Sequence, residues 1–364
     1  MDYKFMNTYD NYLLLKTKKE LTRLAKLHRM SGYSSLNKEA LAEKLLEYIY
    51  RPSVMHDFLV YLGDDEIQLF SSPSRSSLKQ THQVYSGRPA LYRRLLESGY
   101  CYKDTDGKYQ FSSGLREFSS SRTFRKEQQR KSFLLDCVNA AGYLYGSCPV
   151  TILLKMYNTN TALFLKKEEI VQELQAVPPY FHSFILENDW IIQKSLYKNN
   201  LYKKIQQCQG TLPFNIPDKE TILHLSRFGY FPEDPYTKQL INTLTYPPEI
   251  SREEAQEISG EIQAVFRQGG TIEDALVFLK NRTASASAFS GFLQHILTAD
   301  MSDASRRRLL SALNSVFAHS ALLLNRGYTA AEAMQLNKKR TKIYPNSPCP
   351  CGSGKKYKNC CGRR

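Results

Sequence analysis

Cys349, Cys351, Cys360 and Cys361 fall within the stretch CPCGSGKKYKNCC, so half of the eight cysteines sit within thirteen residues. Thiolates are soft ligands, and the spacing C-x-C-x8-C-C lets four of them surround one Zn2+ tetrahedrally, the geometry of a closed structural site. So short a segment cannot bury a core, and metal binding must itself supply the folding energy. The intervening residues suit that task. Gly352 and Gly354 allow the tight backbone that wraps sulfurs, and Ser353 can hydrogen-bond within the turn. Tyr357 is the one sizeable ring available to lean on the site, and Lys355, Lys356 and Lys358 offset the charge of four thiolates. Two other chemistries compete. Gly352-Ser353-Gly354-Lys355 has the look of a phosphate loop, but the full loop needs G-x4-G-K-[ST] after a strand, and Lys356 stands where the hydroxyl belongs. A redox switch at the vicinal Cys360-Cys361 pair would form a strained bridge. One structural zinc is the reading that fits the pattern.

The run CPCGSGKKYKNCCG resembles the SEC-C motif, known from the zinc-binding tail of the translocation motor SecA and found at the ends of otherwise unrelated bacterial proteins. The resemblance implies that Cys349, Cys351, Cys360 and Cys361 are the ligands, with Cys361 at a place where SecA has histidine. It covers the tail alone. No Walker or helicase-like signature occurs elsewhere, so motor activity does not carry over.

The elements that must present this tail are basic. Fifty Lys and Arg against 35 Asp and Glu leave a net charge of +15, which favours a polyanionic partner such as nucleic acid, a ribosome or an anionic surface. A hydrophobic share of 42% argues against wholesale disorder. The opening MDYKFMNTYDNYLLLK does not read as a signal peptide, and no window is apolar over the roughly 18 residues a membrane span needs. The chain is therefore expected in the cytosol, where reduced thiols favour metal over disulfides.

The expected fold is mainly α with small β-hairpins, in several domains. Residues 1–50 read as a helical hairpin. Thr17 and Glu20 make a capping box ahead of Leu21, Leu24, Ala25 and His28; Gly32 is the expected stop. Ser34, Ser35 or Asn37 caps a second helix with the stripe Leu41, Leu45, Leu46 and Ile49. The stretch LTRLAKLHRMSGYSSLNKEALAEKLLEYI is similar to the SAP and Rho N-terminal families, short modules that bind DNA or RNA. That resemblance implies phosphate contacts from Lys16, Lys18, Lys19, Arg23, Lys26 and Lys38.

Residues 51–120 and 121–200 share one plan, helices closed by a hairpin: YCYKDTDGKYQF turning at Asp-Thr-Asp-Gly, and FHSFILENDWIIQKSL turning at Glu187, Asn188 and Asp189. This is the plan of a winged helix, so two such modules are expected. Arg122, Arg125 and Lys126 between them could track phosphates, although such a run is more often the solvated start of a helix. Residues 201–250, punctuated by LPFNIP, YFPEDP and YPP, read as an irregular connector around one short helix near Lys219–Arg227. A helical bundle follows over 251–336. Ser251 and Glu254 open it, Gly269-Gly270 breaks its first helix, and further helices run through FSGFLQHILTAD and SDASRRRLLSALNSVFAHSALLLN. Gly327 ends that run, and Thr329 with Glu332 caps one last turn. Residues 337–364, with lysines and arginines but no acid, are the basic linker and zinc knuckle.

Cys101, Cys137, Cys148 and Cys208 are scattered in apolar stretches and read as buried small hydrophobes. Asp64-Asp65-Glu66 is explained by the dipole of a helix start. His224, His295 and His319 lie on helical patterns, and no paired histidine spacing or Ser/His/Asp set can be assembled, so no catalytic residue is expected. The sequence therefore points to a non-enzymatic zinc protein that binds nucleic acid through basic helical modules, with the tail as an added contact. The alternative is an adaptor whose tail docks a chaperone such as SecB, a ribosome or a translocation component.

Overall fold

The computed structural model describes residues 12–71, 90–104, 106–111, 113–246, 250–283, 303–341, 345–346 and 356–359. Helices dominate, with small antiparallel sheets, and the chain divides into two compact units. The first comprises Met1–Val138 with Leu153–Leu186, the second Asn139–Ile152 with Glu187–Arg364. No described helix is long and apolar enough to cross a membrane.

In the first unit, α1 (Lys18–Leu27) begins at the expected capping box: Thr17 accepts from the Glu20 N–H, and the Glu20 carboxylate accepts from the Thr17 N–H at 2.8 Å. Its end differs from expectation. The chain leaves the helix at His28, and Arg29 takes the left-handed conformation (φ 54°), while Gly32 lies beyond in the connecting loop. Asn37 caps α2 (Lys38–Ile49) by accepting from the Ala40 N–H at 2.8 Å. Leu21, Leu24, Leu41, Leu45 and Ile49 are buried where the two helices pack. α3 (Pro52–Leu59) starts with proline at its first turn, and α4 (Asp64–Ser71) and α5 (Ala90–Glu97) follow. Tyr100 is fully buried beneath them and donates its hydroxyl to the Ile49 carbonyl at 3.0 Å.

The hairpin of β1 (Cys101–Lys103) and β2 (Tyr109–Phe111) pairs Tyr102 with Gln110. Gly107 at φ 75° supplies the conformation its turn requires. The first unit also holds α6 (Ser113–Ser119), the start of the long α7 (Arg122–Tyr145), most of α8 (Val150–Asn160) and α9 (Lys167–Ala176).

The second sheet has the order β3-β5-β4, from Ser147–Pro149, Trp190–Gln193 and Phe184–Glu187. The β4–β5 turn falls at Asn188 and Asp189, both with positive φ, as the residue types suggest. β3, which pairs Cys148 with Ile191, was not expected; three residues between two helices give no alternation to read.

The connector is more helical than its prolines suggest. After the short α10 (Lys194–Tyr197) come α11 (Leu201–Gln209), α12 (Lys219–Phe228) and α13 (Pro235–Leu244). Pro235 is a start signal here: it occupies the first turn of α13, where no N–H is needed, behind the Asp234 cap. α14 (Arg252–Arg267) opens at Ser251 as expected, and α15 (Ile272–Thr283) follows the Gly269-Gly270 break. The expected helix over FSGFLQHILTAD, with His295, lies outside the described residues.

α16 (Ala304–His319) stops at His319 instead of running on to Asn325, because Ser320 is extended and a 3-10 turn spans Leu323–Asn325. α17 (Ala330–Thr341) is capped by Thr329 and Glu332 but is twelve residues long, so Asn337–Thr341 are helix, not linker. One apolar cluster joins α13, α14, α15 and α16 through Leu240, Ile241, Ile258, Ile262, Phe266, Leu279, Leu309 and Leu313.

Candidate functional site

Cys349, Cys351, Cys360 and Cys361 lie outside the described residues, as do Gly352, Ser353, Gly354 and Lys355. The backbone that flanks them is described. The Lys358 N–H donates to the Pro345 carbonyl at 2.8 Å, and Tyr357–Asn359 form a 3-10 turn directly before Cys360. This hydrogen bond joins the residues before Cys349 to those before Cys360. The donor set and that hydrogen bond fit one Zn2+, which would be held by four thiolates and would supply the ordering energy. Among the described residues no cluster of three or more His, Cys, Asp or Glu could hold a metal.

The residues singled out for phosphate contact are distributed unevenly. Lys18, Lys19 and Lys26 are exposed on α1. Lys16 is half-buried with its ammonium 4.5 Å from the Tyr12 ring centre, and Lys38 is half-buried at the start of α2. Arg23 lies 4.0 Å from Glu97. On α7, Arg122 and Lys126 are exposed, whereas Arg125 is 3.7 Å from Asp64. Further along the same helix Arg130 pairs with Glu173, and Lys131 is 3.0 Å from Glu127, so this basic run is largely neutralised by neighbours.

Glu66 does more than face the helix dipole beside Asp64 and Asp65. It is buried, accepts from the Gly63 N–H at 2.9 Å, and pairs with Arg94 at 2.6 Å. Cys101, Cys137 and Cys148 are buried as expected, and burial pushes the thiols of Cys101 and Cys148 up to about 12. Cys208 is exposed. α11 turns Tyr202 and Gln209 inward, and Cys208 falls on the other face.

Two concavities were not legible in the sequence. A cleft of about 400 Å³ in the first unit is lined by the end of α1, by Tyr48, Phe58 and Tyr61, by Lys131, and by Tyr180. His28 forms part of its wall. Its Nε2 lies 2.7 Å from the Ser98 carbonyl, and its ring packs edge-on to Tyr100. Burial pulls the imidazole down to about 4, so at neutral pH it is uncharged and donates Nε2–H to that carbonyl. The Tyr61 phenol is pushed up to about 12 by burial and nearby acids, with the Lys131 ammonium 5.5 Å from its ring centre. These groups are held in non-reactive states.

The second concavity, about 590 Å³, runs between α13 and α16 and is lined by Pro235, Lys238, Gln239, Asn242, Thr243, Tyr246, Ser305 and Arg308. No motif marks it, because the two helices are distant in sequence. The available signal was compositional: PYTKQLINTL and ASRRRLLSALNSVFAH contain four cationic residues and no acid.

Comparison with known proteins bears on the tail. Residues 346–363 match the model of the SEC-C motif. Short stretches of the chain are similar to protein translocase subunit SecA of several bacteria. The identity is 52% over 40 residues in Syntrophus aciditrophicus, covering 11% of this chain and 5% of that protein. It is 55% over 38 residues in Lachnoclostridium phytofermentans, covering 10% and 4%, and 77% over 26 residues in Clostridium tetani, covering 7% and 3%. The chain thus spans about a twentieth or less of the length of these curated relatives. Each of these similarities covers only a short stretch of the chain. No solved structure matches the chain. The chain carries a SEC-C motif over residues 346–363.

Proposed function

We propose that this chain is a non-enzymatic, zinc-binding interaction protein of the cytosol whose SEC-C tail docks a protein partner. The observation that carries this is the motif match over residues 346–363. In the proposal Cys349, Cys351, Cys360 and Cys361 hold one structural zinc, and the ordered knuckle presents Lys355, Lys356 and Lys358 as a compact basic surface. The relatives are translocase subunits by name, so a chaperone, ribosome or translocation component is the partner class to test first. The helical body is the scaffold. In it, the segments 51–120 and 121–200 are taken as winged-helix-like on the support of a strand hairpin following helices in each.

Zinc per chain is the decisive measurement. One equivalent is expected for the intact protein and none for the Cys360→Ser/Cys361→Ser variant. A partner captured from nuclease-treated extract should be lost with the zinc. An intact chain without stoichiometric metal, or a partner indifferent to the double substitution, would end the proposal.

A second reading, nucleic-acid binding by a SAP-like N-terminal hairpin, is favoured by one observation. Lys18, Lys19 and Lys26 are exposed on α1, with no ion-pair partner among the described residues. Binding of duplex DNA or RNA should then fall steeply with salt and weaken in Lys18→Glu/Lys19→Glu/Lys26→Glu.

A further inference from the structure

We propose that the groove between α13 and α16 binds single-stranded nucleic acid. This goes beyond the tail-docking reading and uses residues of the second unit that neither reading above employs. The argument begins with charge. Across Pro235–Leu244 and Ala304–His319 the cationic residues are Lys238, Arg306, Arg307 and Arg308, and neither helix carries an acid. Lys238 and Arg308 are exposed, line the groove, and have no ion-pair partner among the described residues.

The described acids next to these helices in sequence are already engaged. Asp303 caps α16, its carboxylate accepting from the Ser305 N–H at 2.7 Å and the Arg306 N–H at 3.2 Å. Glu233 receives both Arg252 at 2.8 Å and Gln256 at 3.2 Å. Two cations facing one concavity with no ion-pair partner among the described residues set up a positive potential that favours an anionic ligand.

The rest of the lining narrows the class of anion. A free phosphate or an acidic peptide needs cations and little else. Here the cations share the groove with Gln239 and Asn242, whose amides both donate and accept, and with Tyr246, which is 67% exposed. Amides match the hydrogen-bonding edges of unpaired bases, and an exposed ring offers a platform on which a base can stack. Two cations, base-edge partners and a stacking ring together suit a strand with its bases turned inward. A duplex, whose bases are stacked on each other, could use only the cations.

The test uses the intact, zinc-loaded chain and fluorescence anisotropy with fluorescein-labelled oligouridylate and oligothymidylate of twelve nucleotides, and a labelled dodecamer of glutamate. Both oligonucleotides should bind at low salt; a preference between them tells whether the ribose hydroxyl is read. Lys238→Glu/Arg308→Glu should raise Kd more than tenfold and reduce the log–log salt slope by about 1.4, the release expected for two phosphates on a single strand. Lys238→Met/Arg308→Met, which removes the charge and keeps an unbranched stem, should act in the same direction while circular dichroism shows an unchanged fold. Tyr246→Ala should weaken binding roughly tenfold and leave the salt slope alone. Undiminished affinity in the charge-reversed variant overturns the proposal. So does glutamate peptide binding as tight as the oligonucleotides, which would make the groove an acidic-protein dock.

Discussion

Both units carry arginine-bearing helices, and two of their surfaces treat the charge in opposite ways. In the first unit Arg23, Arg94, Arg125 and Arg130 lie against Glu97, Glu66, Asp64 and Glu173 respectively. In the second, the facing surfaces of α13 and α16 hold Lys238 and Arg308 with no acid on either helix. A net charge of +15 is therefore a poor guide to where a polyanion binds. Paired cations fix tertiary structure and contribute little field at a distance; unpaired ones project it. The run SSSRTFRKEQQRK is dense in cations, yet three of its five are bound to neighbours.

The largest expected effect separates the tail from both units. Chelation of the metal, or Cys349→Ser, should remove zinc completely while the far-ultraviolet signal and melting temperature of the helical body stay as they were. Metal binding is folding energy for a segment without a core, whereas the body has its own. Concerted melting of the body on chelation would show that the tail is part of its core, and the comparison between regions would have to be redrawn.

Next in size are the cores. Phe266 is fully buried among Ile262, Leu309 and Leu313 in the second unit, and its ring lies 5.2 Å from that of Phe317. Phe266→Ala should destabilise the second unit by roughly 3–5 kcal/mol. Leu45→Ala should cost the first unit about 2–5 kcal/mol. Chemical denaturation followed by hydrogen exchange in each unit would show whether either loss spreads to the other.

Much of the local structure was legible because its causes are local. Thr17, Ser251 and Thr329 each precede an acid by three residues and each opens a helix where that spacing puts it, with the full box formed at Thr17 and Thr329 and the hydroxyl cap alone at Ser251. The strand hairpins were marked by turn residues that tolerate positive φ, namely Gly107, Asn188 and Asp189. What was hidden depends on distant residues. Pro235 reads as a breaker until Asp234 is seen to cap it. Cys208 looks apolar until α11 is rotated by its burial of Tyr202. The second unit takes in Asn139–Ile152 from the middle of the chain, and no composition shift marks that crossing. The cysteines at 349–361 needed no fold to be recognised, since metal chemistry resides in ligand type and spacing.

A pH experiment sharpens the contrast from the side of the first unit. His28 is uncharged in the fold, with its pKa pulled from the ordinary 6.5 to about 4 by burial among Phe58 and Tyr100. The unfolded chain binds the proton first, so stability present above pH 6.5 is lost as pH falls towards 4. The shift corresponds to about 3 kcal/mol. Urea titrations at pH 7 and pH 4.5 should show most of that loss in the intact protein. His28→Gln, which retains a donor towards the Ser98 carbonyl but does not titrate, should flatten the dependence. An equally steep decline in the variant would assign acid sensitivity to other groups.

The smallest effect is the most discriminating. Arginines near the start of a helix oppose its dipole, and α16 begins Ala304-Ser305-Arg306-Arg307-Arg308 with no acid in its first turn. Arg308→Glu should therefore leave the fold as stable as before, or raise stability by a few tenths of a kcal/mol. Arg125→Glu in the first unit should do the reverse, because it sets a carboxylate beside Asp64. Paired thermal melts of the two variants measure the difference directly. A residue whose reversal spares the fold and still abolishes oligonucleotide binding is held there by the ligand. Were Arg308→Glu to destabilise as much as Arg125→Glu, the arginine would have a structural partner, and the distinction between neutralised and presented charge would fail.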